Sequence, residues 1–229
     1  MDDTLGTLVM LYSQSYLGQI GGPLNNLEPL VGEINRLRKS RGRDAEEVRG
    51  ELRIISEYRY LEYLSDAIDK LGFLYFTRDK LKESKHVATS KYYVFNFIFD
   101  CKAFLDTISS LINYHWELGQ RGGDIDLSKP DFVKSVGLKN PTLLKDVQNL
   151  EKWIKWIQTW RVNLIHRQGL FMYDARLMPS WEEPDEFSQA MFSKRPAVDS
   201  LEVCEESIRN AKSLMEAVCG YIQDDLSKR

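Results

Sequence analysis

Apolar residues recur at steps of three and four along four long stretches of the chain, the spacing that lines one side of an α-helix. The clearest stripe is Val94, Ile98, Cys101, Leu105, Ile108 and Ile112, widened by Phe97, Phe104 and Leu111. It predicts a helix over Ala88–Leu118 with Lys102, Asp106, Ser109, Ser110 and Asn113 on its polar side, ended by Gly119 and Gly122-Gly123. An earlier stripe, Val48, Leu52, Ile55, Leu61, Leu64 and Ile68, predicts a helix capped by Asp44, with Glu46 and Glu47 favoured by the dipole of its first turn. Gly72 stops that helix after Leu71; residues 73–79 fit a strand or a helix, and Lys80–Lys85 reads as a polar connector. Asn140-Pro141 starts a third helix over Pro141–Arg167, asparagine capping and proline in the first turn. Asp199 with Glu202 resembles a capping box, opening a last helix striped by Leu201, Cys204, Ile208, Ala211, Met215, Val218 and Ile222.

Shorter signals fill the gaps. Residues 5–20 are helical or mixed, a short helix follows over Leu27–Leu37, and a helical turn near Pro130–Val136 ends at Gly137. Residues 170–198 hold Pro179, Pro184, Pro196 and the acidic, aromatic run at 181–187, and read as irregular with an extended piece at Leu170–Tyr173. The whole predicts an all-α, antiparallel four-helix bundle over residues 44–229. An N-terminal extension, residues 1–43, packs on it, and the irregular insertion precedes the last helix.

Composition narrows the setting. The chain has 229 residues, 43% hydrophobic and 28% charged, which suits one globular domain of ordinary size or one domain with an extra lobe. A formal charge of −3 argues against a chain-wide nucleic-acid-binding field and leaves local patches open. One such patch is the run Arg36, Arg38, Lys39, Arg41 and Arg43, either a solvated loop or a phosphate-contacting arm. Cys101, Cys204 and Cys219 are odd in number and widely spaced, as buried free thiols in a reducing compartment would be. The Met-Asp-Asp start lacks the basic segment of a secretory signal, and polar residues interrupt the uncharged Thr4–Leu27 stretch before it spans a bilayer. These features predict a cytoplasmic protein outside the membrane.

The chemistry concentrates in the third helix. Leu143, Val147, Leu150, Ile154 and Ile157 form a stripe whose next position is Arg161, so a guanidinium stands where a core leucine belongs. Buried without a partner it would cost several kcal/mol, which requires either a carboxylate such as Asp106 or Asp100, or an anionic ligand. His166 follows five residues later, roughly 140° around a regular helix, so the two do not share a face. A site using both needs a loosened helix end, converging long side chains, or a second copy of the chain. Asn163 and Arg167 add polar groups beside His166, and Trp153, Trp156 and Trp160 flank the stripe as core packing or a dimer seam, with base stacking the minor reading. His115 continues the apolar side of its helix as a core histidine, and scattered His86, His115 and His166 offer no metal-ligand spacing. No metal and no cofactor are expected. Neither a phosphate-binding loop nor a serine-hydrolase elbow occurs.

Arg161 followed after four residues by His166, late in a helical bundle, resembles the signature of the HEPN (higher eukaryotes and prokaryotes nucleotide-binding) superfamily. Asn163 close behind the arginine, and Asp106 and Asn113 on a preceding long helix, fit the same pattern over about Ala88–Leu226. The resemblance implies a dimeric, metal-independent ribonuclease in RNA-targeting defence or stress, with RNA as substrate and a protein inhibitor or antitoxin as a possible partner. In that reading Arg161 stabilises phosphate charge, His166 transfers protons near its ordinary pKa of about 6.5, and Asn163 orients the imidazole or a phosphate oxygen. Arg167 and the Arg36–Arg43 run would bind flanking phosphates. Family members modified by a partner nucleotidyltransferase carry a tyrosine two residues after the histidine; here Gln168 stands there, and the next tyrosine is Tyr173. The alternatives are a non-catalytic helical module binding nucleotide or protein, and a scaffold whose tryptophan face recruits a partner helix.

Overall fold

The computed structural model describes residues 47–166, 177–179 and 197–228. Asp44, the extension 1–43, Leu170–Tyr173 and the acidic run at 181–187 lie outside the described residues. Among the described residues six α-helices carry the fold: α1 Glu47–Glu83, α2 Val87–His115, α3 Pro130–Lys139, α4 Pro141–Asn149, α5 Glu151–His166 and α6 Ser200–Ser227. Two three-residue strands, β1 Leu177–Pro179 and β2 Ala197–Asp199, pair antiparallel just before α6.

The first helix is longer than its sequence signals suggest. It passes through Gly72 and absorbs both residues 73–79 and most of the expected connector. A glycine inside a helix costs about 1 kcal/mol, while Leu71 and Leu74 beside it are fully buried and Tyr75 and Leu81 further along are also buried. Burial of even one such side chain is worth about 1.5–3 kcal/mol, so packing overrides the local stop. Gly137 likewise lies inside α3 rather than ending a turn at that point.

The expected third helix is two. Leu150 adopts φ −99°, ψ 4°, and its N–H bonds back three residues to Val147, after which Ile154 restarts the helical pattern on the Leu150 carbonyl. The stripe survives the bend: Leu143, Val147, Ile154 and Ile157 are all buried. The turn lets one apolar stripe serve two neighbours, because α4 packs on α6 whereas α5 packs on α2.

Three residues, Ser84 to His86, connect α1 to α2, which pack along each other as a hairpin. Near one end Arg78 of α1 meets Glu205 of α6 at 2.6 Å, and at the other His115 of α2 meets Asp225 of α6 at 3.3 Å. Helix α6 therefore runs against α1 and alongside α2. The core they share includes Leu71, Phe97, Phe104, Ile108, Leu214, Met215 and Val218.

The caps follow the sequence signals. Asn140 accepts from the backbone N–H groups of Thr142 and Leu143, and Asp199 from that of Leu201. At the end of α2 the chain reverses through Glu117 and Gly119, both with positive φ. The Asn113 side chain ties that turn down by bonding both the carbonyl and the N–H of Gln120.

Candidate functional site

Trp153, Trp156 and Trp160 bring α5 into the core at 2%, 1% and 4% exposure. They are packing residues within one chain, and none presents a face on which a base could stack. Their anchoring fixes the rotation of α5 about its own axis.

Arg161 is half-buried on α5, at the edge of the buried stripe. Neither carboxylate expected to meet it does so. Asp106 is exposed and takes the ammonium of Lys102. Asp100 accepts from the Thr77 hydroxyl at 3.1 Å. Burial raises the Asp100 carboxyl above its ordinary value, only partly opposed by Thr77 and Lys70, whereas an arginine beside it would lower it. Arg161 has no ion pair or hydrogen bond to a described residue.

The backbone stays α-helical through His166, so no loosening intervenes between Arg161 and His166. Five helical residues set their backbone positions roughly 140° apart around the axis. Arg167, Arg36, Arg38, Lys39, Arg41 and Arg43 fall outside the described residues. Asn113, expected as a supporting residue, is occupied by the turn it caps.

Two polar clusters emerge that the sequence reading did not assemble. The first centres on Lys102, placed by the periodicity on the polar side of α2 but in fact buried, as is Ser109. Lys102 pairs with Asp106 and with Asp126 (3.1 Å to the latter), while the Ser109 hydroxyl accepts from the N–H of Leu127 at 3.3 Å. The loop 122–128 folds back over this side of α2, which converts a polar face into an interior one. Burial acts to raise the Asp126 carboxyl, but the Ser128 backbone and side chain and the Lys102 ammonium outweigh it and hold Asp126 below its ordinary value. The i, i+4 pair Lys102–Asp106 was visible in sequence; the return of Asp126 was not.

The second cluster joins three helices. Tyr60 Oη lies 2.6 Å from His115 Nδ1, and His115 Nε2 lies 3.3 Å from Asp225, which also accepts from the Trp116 indole at 3.2 Å. His115 is the satisfied core histidine its position predicts. All three cysteines are free and buried. Among the described residues, no three His, Cys, Asp or Glu side chains gather as a metal site would require, and no helix is long and apolar enough to cross a membrane.

Fold and geometry together define a mostly helical protein with a half-buried arginine on α5 that pairs with none of the described residues. No protein-family model, curated protein or solved structure matches the chain.

Proposed function

We propose that this chain is a metal-independent endoribonuclease built on an HEPN-like antiparallel four-helix bundle, its site composed where two copies meet. The supporting observation is Arg161: a half-buried guanidinium, unpaired among the described residues, on a helix that continues unbroken to His166. An arginine held part-way out of water gains most from a partner that arrives as an anion, and a phosphodiester supplies one. Because Arg161 and His166 diverge around α5, a second copy is the economical way to bring one of each to the same phosphate.

In the reaction, His166 takes the proton from a ribose 2′-hydroxyl as its oxygen bonds to the adjacent phosphorus. Arg161 spreads its two N–H arms over the oxygens of the phosphorane, whose charge it stabilises more than that of the ground state. The bond from phosphorus to the 5′-oxygen then breaks, and that oxygen takes a proton from His166 of the second copy. The products are a 2′,3′-cyclic phosphate and a 5′-hydroxyl. Asn163, close to His166 around the helix, orients the imidazole or a phosphate oxygen.

Purified protein in EDTA is expected to cleave RNA to cyclic-phosphate ends. Arg161→Ala should lower the rate about 10²- to 10³-fold and His166→Ala about 10²- to 10⁴-fold. Mixing wild type with an equal amount of His166→Ala and allowing subunits to exchange should leave about a quarter of the wild-type rate at equal total protein rather than half, because only about a quarter of the dimers then hold both histidines. Wild type inert toward RNA, together with unfolding of Arg161→Ala, would sink the proposal. A second reading, a non-catalytic module that binds a protein, rests on exposed Phe73 and Phe76 of α1 and Phe99 of α2. It predicts that a partner protects those phenylalanines while Arg161→Ala and His166→Ala change nothing.

A further inference from the structure

The side of α4 and α5 that turns away from the core is cationic. From Lys129 to Arg161 the chain carries seven Lys and Arg against three Asp and Glu, in a protein whose formal charge is −3. Lys134, Lys139, Lys145, Lys152 and Lys155 are all exposed. Two of the three acids are already engaged, Asp146 by the Tyr221 hydroxyl at 2.8 Å and Glu151 by Lys155 at 2.6 Å. The surface is built by register: with Leu143, Val147, Ile154 and Ile157 buried, Lys145, Gln148, Lys152 and Lys155 fall on the opposite side. Gly137 of α3 lies against Leu144 of α4, where an added Cβ would come within 2.6 Å of the leucine. That close contact brings the lysine-bearing α3 up to the same region.

Register also says where this surface leads. At about 100° per residue, Lys152, Lys155, Thr159, Asn163 and His166 fall within roughly 80° of arc around α5, and Arg161 lies outside it. The positive face and the histidine position are thus on one side of the helix, with Arg161 on another.

We propose that the outer face of α4 and α5, with Lys145, Lys152 and Lys155 as its principal charges, is a track for the sugar–phosphate backbone of single-stranded RNA leading to His166. This rests on the ribonuclease reading above and goes beyond it, because it assigns substrate binding to lysines outside the motif. Lysine is a mobile point charge that reads phosphate and carries no base information. The aromatic residues that would stack bases are buried, so the track accepts any sequence. Single strands are favoured because in-line attack by a 2′-hydroxyl needs a backbone free to rotate. Lys152 and Lys155 lie roughly 4.5 Å apart along α5 at 1.5 Å per residue, and Lys145 precedes them across the Leu150 turn.

The test uses the full chain and a fluorescent single-stranded 2′-O-methyl RNA, which lacks the attacking hydroxyl and so reports binding without cleavage. Wild type is compared with Lys145→Glu/Lys152→Glu/Lys155→Glu and with a control of equal charge, Lys82→Glu/Lys85→Glu/Arg209→Glu, three exposed residues elsewhere. Circular dichroism establishes that each is folded; if the Glu set on α4–α5 is not, the corresponding Gln set takes its place. The α4–α5 set is expected to bind at least about tenfold more weakly, with a log–log salt slope shallower by about 2, since each single-strand phosphate contact contributes about 0.7. The control set should bind like wild type. Equal losses in both sets, or wild-type affinity in the α4–α5 set, overturn the track and leave the RNA reading standing. Wild type that binds no RNA at any salt concentration overturns both.

Discussion

At the residue scale, Cys101, Cys204 and Cys219 are almost completely buried, and desolvation pushes all three thiols up, Cys219 to about 12. A thiol that stays protonated and enclosed is a poor nucleophile. The native protein is expected to leave all three unmodified by an aromatic disulfide reagent at about pH 8 and to release three equivalents of chromophore once denatured; rapid labelling of the native protein would refute this. Asp126 makes an opposite electrostatic case. Its carboxyl is held below its ordinary value, so the folded state binds that proton less readily than the unfolded state. The resulting stabilisation is present above the unfolded value of about 3.9 and disappears as pH falls through the lower folded value. Asp126→Asn should therefore cost about 2 kcal/mol at neutral pH, where Lys102 keeps only the exposed Asp106, and the difference from wild type should shrink in acid. Urea melts at several pH values check it. The thiols were legible from their spacing and apolar neighbours. Lys102 was misplaced because periodicity counts only the residues of its own helix, whereas the group that buries it arrives 24 residues later.

At the element scale, start signals proved more informative than stop signals. Asn140 and Asp199 cap the helices they were expected to cap, because a side-chain acceptor for two or three N–H groups works without help from distant residues. Gly72, Gly137 and Leu150 show the reverse. A glycine only weakens a helix, and the apolar residues on both sides of Gly72 continue a buried stripe that repays the loss. A Cβ at Gly72 would meet nothing within 4 Å. Gly72→Ala is accordingly expected to stabilise the protein by about 1 kcal/mol, raising the urea midpoint with no change in slope. The same change at Gly137 gains less, because Leu144 must move aside. The bend at Leu150 has no breaker residue to announce it. It arises because α4 and α5 satisfy different neighbours, a demand that no local pattern records.

At the scale of the whole molecule, the charge of −3 conceals a division: residues 129–161 are net positive, and the remainder is correspondingly acidic. The proposed track depends on that division surviving folding, which it does because the apolar stripe of α4 and α5 turns inward and carries the lysines outward. The Tyr60–His115–Asp225 chain acts at the same scale, tying α1, α2 and α6 at one end of the molecule. The sequence by itself determined the helical class, the cap residues, the buried thiols, the core histidine and the odd position of Arg161 in an apolar stripe, since each follows from local periodicity or a short-range hydrogen bond. Only the tertiary structure decided that neither Asp106 nor Asp100 meets Arg161, that Lys102 is interior, that the tryptophans are spent on packing, and that the α5 backbone runs unbroken to His166. Those outcomes depend on which groups reach one another across helices, a property of the packed chain that spacing along one helix does not contain.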